Sequence, residues 1–451
     1  MLTKDPPSIF PLHLAPIDRL FLQEDNDRHP MTSVIQLDFR GVLRPREFDD
    51  AVAEAQKRHP LLRALVQSAK GGKPCWVAAT NSTVPVEVGG MNNALVLTDG
   101  ESIDLTKEIG LRLWVQTTDT HSRVSVQVHH ACTDGTGIYR FLGDVLAIYA
   151  SSTDPNLIPM PLADLDPKLL RRRRSKMADR AIHGTAWEFI RNGMTYASRL
   201  LATPINGLHA PVGGMLPSPT PFPGICTFVF DQDEQQRLRQ AASNHGALLN
   251  DLLLAELLRA VDQWNSQHGD HSGRKRIRLL MPSDLRDEND FEMPAANMTA
   301  YTFVTRRRQE CRDFGQLMSS IRDETARIKF GRTGKSFVDA LMLLDYFPKA
   351  WSLFRGISSC MATATLSNTG DPTKRFLSKL PRQDGQLVCG NLTLEEITGV
   401  PPIRDGNNVT IAVFTYRRRC TVCLRCNPYL FSREDSHQFL EKYIASLRRH
   451  L

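Results

Sequence analysis

The 451-residue chain lacks any apolar run of the roughly 18 to 20 residues that a bilayer-crossing helix needs. Its apolar stretches, such as the one around Leu252 to Leu258, are broken by charge well before that length. The opening MLTKDPPSIF has neither the apolar core nor the small-residue cleavage site of a secretory signal, so a cytoplasmic location is expected. A disulfide framework is also missing. Nine cysteines, an odd number, are scattered from Cys75 to Cys426 in a chain long enough to fill a core without staples, and reduced thiols are predicted. There is no short internal repeat, and no basic patch interleaved with aromatics, which ranks nucleic acid last among partners.

The composition is that of an ordinary globular chain, with 41% hydrophobic and 23% charged residues. A net charge of +7, from 56 Lys plus Arg against 49 Asp plus Glu, suits anionic ligands or surfaces without demanding them. In the first third, Val34, Ile35, Leu37 and Phe39 read as a half-buried strand, and Pro45 opens a helix that ends at Arg58 to Pro60. Two apolar runs around Thr117 to Ser122 predict a hairpin whose second strand is RVSVQVHH. After the turn ACTDGTG, Ile138, Phe141, Leu142, Val145 and Ile148 keep helical spacing.

Prolines and the run RRRRSK at Arg171 to Lys176 mark a weakly patterned middle. Strands at ICTFVF, IRLLMP, Met298 to Thr305 and Ala362 to Leu366 follow, with a helix from Asp233 to Trp264 interrupted near Asn244 to Gly246. A late hairpin and a terminal helix complete the second half. The predicted class is α+β, in two subdomains of comparable size: residues 1–165, a linker at 166–223, and residues 224–451.

The segment His129, His130, Ala131, Cys132, Thr133, Asp134 and Gly135 carries the most chemical information. A base for acyl transfer must be neutral near pH 7 and able to accept a proton, as histidine is with a pKa of about 6.5. A strand end mounts it rigidly, and Gly135 leaves the approach to it open. Adjacent strand residues point to opposite faces, so His129 and His130 do not converge on one metal ion. One faces the chemistry and the other packs.

HHACTDG resembles the His-His-x-x-x-Asp-Gly signature of the chloramphenicol acetyltransferase-like acyltransferases. These include condensation domains of nonribosomal peptide synthetases, alcohol acyltransferases, and wax ester synthase/diacylglycerol acyltransferases. Other segments agree in order: RHPLLRA at Arg58 to Ala64, LLNDLLLAELL at Leu248 to Leu258, MPSDLR at Met281 to Arg286, SNTG at Ser367 to Gly370, and FTYRRR. Ala296 and Asn297 stand where the wax ester branch often has Gly-Asn.

The resemblance implies two acetyltransferase-like subdomains in a V, with an active-site tunnel between them. His130 is then the general base that deprotonates the acceptor, while His129, Asp134, Gly135 and Arg286 are structural, Arg286 pairing with Asp134. Ser367 and Asn368 are candidates for the oxyanion or the tunnel wall, and a plain strand-end hydrogen bond is the equal alternative. The implied donor is a thioester, acyl-coenzyme A or an acyl or peptidyl carrier protein acting in trans. The acceptor is a small molecule bearing a hydroxyl, and no bound cofactor or metal is required. A stand-alone condensation enzyme forming an amide or ester is the second reading, and a binding relic without turnover the third.

Three further signals carry less. Cys420, Cys423 and Cys426 are spaced like cluster ligands, but positions three apart on a strand face opposite sides. GRTGKS at Gly331 to Ser336 lacks the first glycine of a phosphate loop and reads as a loop. The arginines Arg171 to Arg174 suit coenzyme A phosphates, an acidic carrier or peripheral contact with an anionic membrane, or else are solvated linker charge.

Overall fold

The computed structural model describes residues 9–68, 73–84, 86–97, 100–154, 161–173, 186–201, 205, 207–211, 213–269, 276–330, 334–346 and 361–451. Two sheets organise it. The first contains β2 (Thr32–Arg40), β5 (Val86–Gly90), β6 (Leu111–Thr117) and β7 (His121–His129), joined by β12 (Arg382–Gln383), β13 (Gln386–Cys389) and β14 (Leu392–Val400). Their order is β12-β13-β14-β2-β7-β6-β5. The second contains β8 (Cys226–Phe230), β9 (Arg276–Asp284), β10 (Thr299–Arg307), β11 (Ala364–Gly370), β15 (Val409–Tyr416) and β16 (Arg419–Cys426), in the order β10-β9-β11-β15-β16-β8. A small sheet of β1 (Leu12–His13), β4 (Pro74–Ala78) and β3 (Ala64–Ser68) lies beside the first lobe.

Helices cover these sheets. In the first lobe they are α1 (Pro16–Glu24), α2 (Pro45–Arg58), which has proline in its first turn, and α3 (Gly135–Thr153). The second lobe has α5 (Gln232–Asn244), α6 (Leu249–Gln267), α7 (Phe314–Phe330) and α9 (Arg433–Arg448). Between α5 and α6, Gly246 has φ +64°, a conformation that costs glycine least, and the predicted helical stretch breaks there. Between the lobes, α4 (Ala186–Leu201) packs on α8 (Gly334–Tyr346).

One face of the second sheet belongs to each core. On β15, Val409, Ile411 and Val413 join the core under α6 and α9, whereas Ala412, Phe414 and Tyr416 join the core shared with the first lobe. A strand apolar on both sides is the signature of a sheet buried on both faces. The same alternation separates the cysteines: Cys420 and Cys426 lie in the second core and Cys423 in the first. All eight described cysteines are free and buried.

Three stretches differ from their sequence reading. Residues 382–400, placed by sequence in the second subdomain, extend the first sheet, with Val400 opposite Val34 and Thr393 opposite Arg40. Alternating hydrophobicity identifies a strand but not its partner. The segment read as linker is helical at 168–173 and buries Arg173, whose side chain is 1% exposed. Gly334, read as part of a loop, opens α8, while 331–333 and Arg174 fall outside the described residues. Among the described residues no helix is long and apolar enough to cross a membrane.

Candidate active site

β7 runs antiparallel to β2, pairing His129 with Thr32, and the ladder continues one residue further as the His130 N–H donates to the Met31 carbonyl at 2.8 Å. Strand alternation turns the two histidines apart. His129 is fully buried, its Nδ1 accepts from the Ala131 N–H at 3.1 Å, and its Nε2 lies 3.7 Å from the Asp25 carboxylate. The Nδ1 lone pair being used as an acceptor, the proton of a neutral ring sits on Nε2 and points toward Asp25.

His130 is only partly exposed and its ring lies flat on Phe21 of α1, with centroids 4.2 Å apart and planes 4° from parallel. Asn297 reaches both its ring and its main-chain carbonyl. Asn297 Nδ2 donates to that carbonyl at 2.8 Å and stands 3.3 Å from Nδ1. Among the described residues nothing hydrogen-bonds Nε2. Burial depresses the His130 pKa to about 4, the neighbouring His129 adds to this, and Asp134 opposes it. The ring is therefore neutral at pH 7 and presents an unprotonated nitrogen.

Asp134 caps α3, its Oδ1 accepting from the Gly137 N–H at 2.9 Å. Arg286 grips both carboxylate oxygens, at 2.8 and 3.0 Å, and the Met298 N–H donates to Oδ2 at 2.7 Å. Burial by itself would raise the Asp134 pKa, but the Arg286 guanidinium and the N–H donors outweigh it and hold the carboxyl below its ordinary value. Arg286 also donates to Asp284 at 3.0 Å and to the Ala296 carbonyl at 2.7 Å. The loop after β9 thus fastens the second lobe to the His-Asp-Gly turn of the first. Gly137 lies in that seam, where an added Cβ would stand 2.9 Å from the Ala296 backbone. At Gly135 the same atom would meet nothing within 4 Å.

The other sequence candidates fall farther out. Asn368 is exposed, donates to Asn250 at 3.3 Å and accepts from the Gly370 N–H at 3.2 Å. Ser367 pairs with Ala412 on β15, so it shares the sheet face turned toward the first lobe. No hydrogen bond among the described residues joins either to His130. In RHPLLRA, Arg58 and His59 both reach Asp144 of α3, at 2.7 and 3.2 Å, behind the site.

Sequence reasoning passed over Phe21 and Asn297 as partners of His130. It also missed the buried pair beneath Phe21: both oxygens of Asp18 on α1 receive Arg173, at 2.9 and 2.8 Å, and Oδ2 also receives Trp76 Nε1 at 3.0 Å. Arg173 therefore clamps the helix that carries the ring stacked on His130. The one available signal was an acid on the apolar side of α1, where a buried charge needs a cation.

No protein-family model matches the chain, and none of the curated proteins matches it significantly. Solved structures do. The first condensation domain of the calcium-dependent antibiotic synthetase, in complex with a substrate analogue, superposes with a TM-score of 0.68 at 13% identity over 97% of this chain and 95% of that one. The starter condensation domain of rhizomide synthetase, in complex with C8-CoA and Leu-SNAC, gives 0.63 at 11%, over 97% and 94%. The nonribosomal peptide synthetase FmoA3 gives 0.66 at 14% identity, and there the chain spans 46% of the longer protein. The fold is that of a condensation domain, two sheet-rich lobes meeting at the histidine turn.

Proposed function

We propose that the protein is an acyltransferase that moves an acyl group from a thioester donor, acyl-coenzyme A, to the hydroxyl of a small acceptor. What carries this reading is His130: an imidazole neutral at pH 7 with its Nε2 unengaged among the described residues, at the junction of the lobes in a condensation-domain fold. The Nε2 lone pair takes the proton as the acceptor oxygen attacks the thioester carbonyl. The carbon–sulfur bond then breaks, and the same proton passes to the departing sulfur. Positioning and a base supply the rate without a covalent enzyme intermediate.

In this reading Asp134 and Arg286 hold the turn without exchanging protons, His129 packs, and Gly135 keeps the approach to Nε2 clear. In the same reading Ser367, on the sheet face toward the first lobe, is a tunnel-wall residue. A second reading, favoured by the match to part of the longer FmoA3 synthetase, is condensation from a carrier protein acting in trans to give an amide or ester.

The test is thiol release from a panel of acyl-coenzyme A donors mixed with alcohol or amine acceptors, comparing wild type with His130→Ala. Release that needs an acceptor and falls at least about 100-fold in the variant is expected. Release unaffected by the substitution would remove His130 from its role. Turnover only with a loaded carrier protein would select the second reading.

A further inference from the structure

An open cavity of about 430 Å³ lies where the start of α5 meets the tip of the β15–β16 hairpin. Arg239, Lys374, Arg417 and Arg418 line it, with Gln235 and one carboxylate, Asp371. None of the four cationic side chains has a hydrogen bond or ion pair among the described residues. Oδ1 of Asp371 is engaged, accepting from the Thr373 N–H at 3.0 Å and the Thr373 hydroxyl at 2.6 Å to cap a short 3-10 turn. Like charges gathered in a concavity repel unless an anion joins them.

The hairpin tip adds an independent observation. Tyr416 pairs with Arg419, so Arg417 and Arg418 form a two-residue turn, and their φ values are +52° and +58°. Such a turn favours Asn-Gly, because side chains are strained in the left-handed region. Two adjacent arginines there combine backbone strain with mutual repulsion, and both project from the rim of the same cavity. Backbone strain of this kind clusters at ligand sites.

We propose that this cavity binds a small ligand bearing a diphosphate group. Guanidinium forks match phosphate oxygens in pairs, and two linked phosphates carry the charge that four cations around one carboxylate call for. No aromatic ring lines the cavity to stack bases, which separates it from a single-stranded nucleic acid groove. The inference stands apart from acyl transfer and is tested by binding alone.

The experiment is isothermal titration of the full chain with inorganic diphosphate, ADP, coenzyme A and pantetheine, repeated on the double variant Arg417→Asn/Arg418→Gly. That variant installs the preferred turn, so its thermal midpoint should equal or exceed that of wild type. Saturable binding of one diphosphate per chain, silence from pantetheine, and at least a tenfold weaker affinity in the double variant are expected. Coenzyme A binding alongside ADP would identify a thioester carrier as the source of the diphosphate, and ADP alone a nucleotide. Equal affinity in the double variant, binding of sulfate as tight as diphosphate, or capture of polyglutamate without diphosphate binding would each overturn the proposal.

Discussion

Neutralising Asp134 by substitution with Asn perturbs the joint between the lobes with little change of shape. In wild type the carboxylate is 4% exposed and its partner Arg286 6%, so neither is solvated by water. The amide can still accept the Gly137 N–H at the start of α3, which keeps the capping contribution of about 1 kcal/mol. It cannot neutralise Arg286, and it turns an NH2 toward either the guanidinium or the Met298 N–H.

Breaking a buried pair by removing one partner costs roughly 3 to 5 kcal/mol. Because Arg286 keeps Asp284 at 3.0 Å, the lower end, about 3 kcal/mol, is expected. Urea unfolding followed by tryptophan fluorescence measures it. Adding Arg286→Met removes the stranded charge, so the double variant should be more stable than the sum of the single losses by at least about 1 kcal/mol.

The pH dependence has a definite sign. Asp134 is held below its ordinary pKa when folded, so its contribution is complete above the unfolded carboxyl value of about 3.9 and is lost as the pH falls through the folded value. The gap between wild type and Asp134→Asn should therefore narrow on acidification. An Asp134→Asn protein as stable as wild type but inactive would refute the architectural role and make Asp134 a participant in the chemistry.

With the His130 pKa lowered to about 4, kcat/KM should stay level between pH 5 and 8 and fall only near pH 4, where Nε2 becomes protonated; an acid limb near 6.5 would contradict the burial of the ring. Asn297→Ala should lower kcat with little change in KM, because the ring and the carbonyl that Asn297 holds are released, and nitrogen chemical shifts of the His130 ring should report a larger share of the Nδ1-protonated tautomer once the amide donor beside Nδ1 is gone. Arg173→Met strands Asp18 and should cost roughly 3 to 5 kcal/mol, whereas Arg171→Ala, at an exposed position of the same run, should stay within about 1 kcal/mol, both by thermal or urea unfolding.

Most strands and helices could be read from the chain because their periodicities are local properties. Val124, Val126 and Val128 alternate, Ile138 to Ile148 recur at helical spacing, and Asn244 to Gly246 interrupt a helix where a positive φ is needed. The residues around His130 were legible only in part. Those of the His-Asp-Gly turn are neighbours in sequence, but Phe21 and Asn297 reach the same ring from far along the chain in each direction. Arg173 was hidden by its company: a run of four arginines reads as solvated, and only tertiary packing selects the one that turns inward to Asp18. Strand pairing was hidden for a like reason, since β14 carries no local mark of its distant partner β2.

That pairing has a consequence for how the protein is made. One edge of β2 stays without its strand until residue 400 has left the ribosome, because Val400 is the partner of Val34. At translation rates of about 5 to 20 residues per second, the interval is roughly 20 to 70 s. During that time a nascent first lobe offers a row of open backbone donors and acceptors to any neighbouring chain on the polysome. Yield in a cell should accordingly depend on elongation speed and on chaperones that shield a strand edge, even where the finished protein is stable.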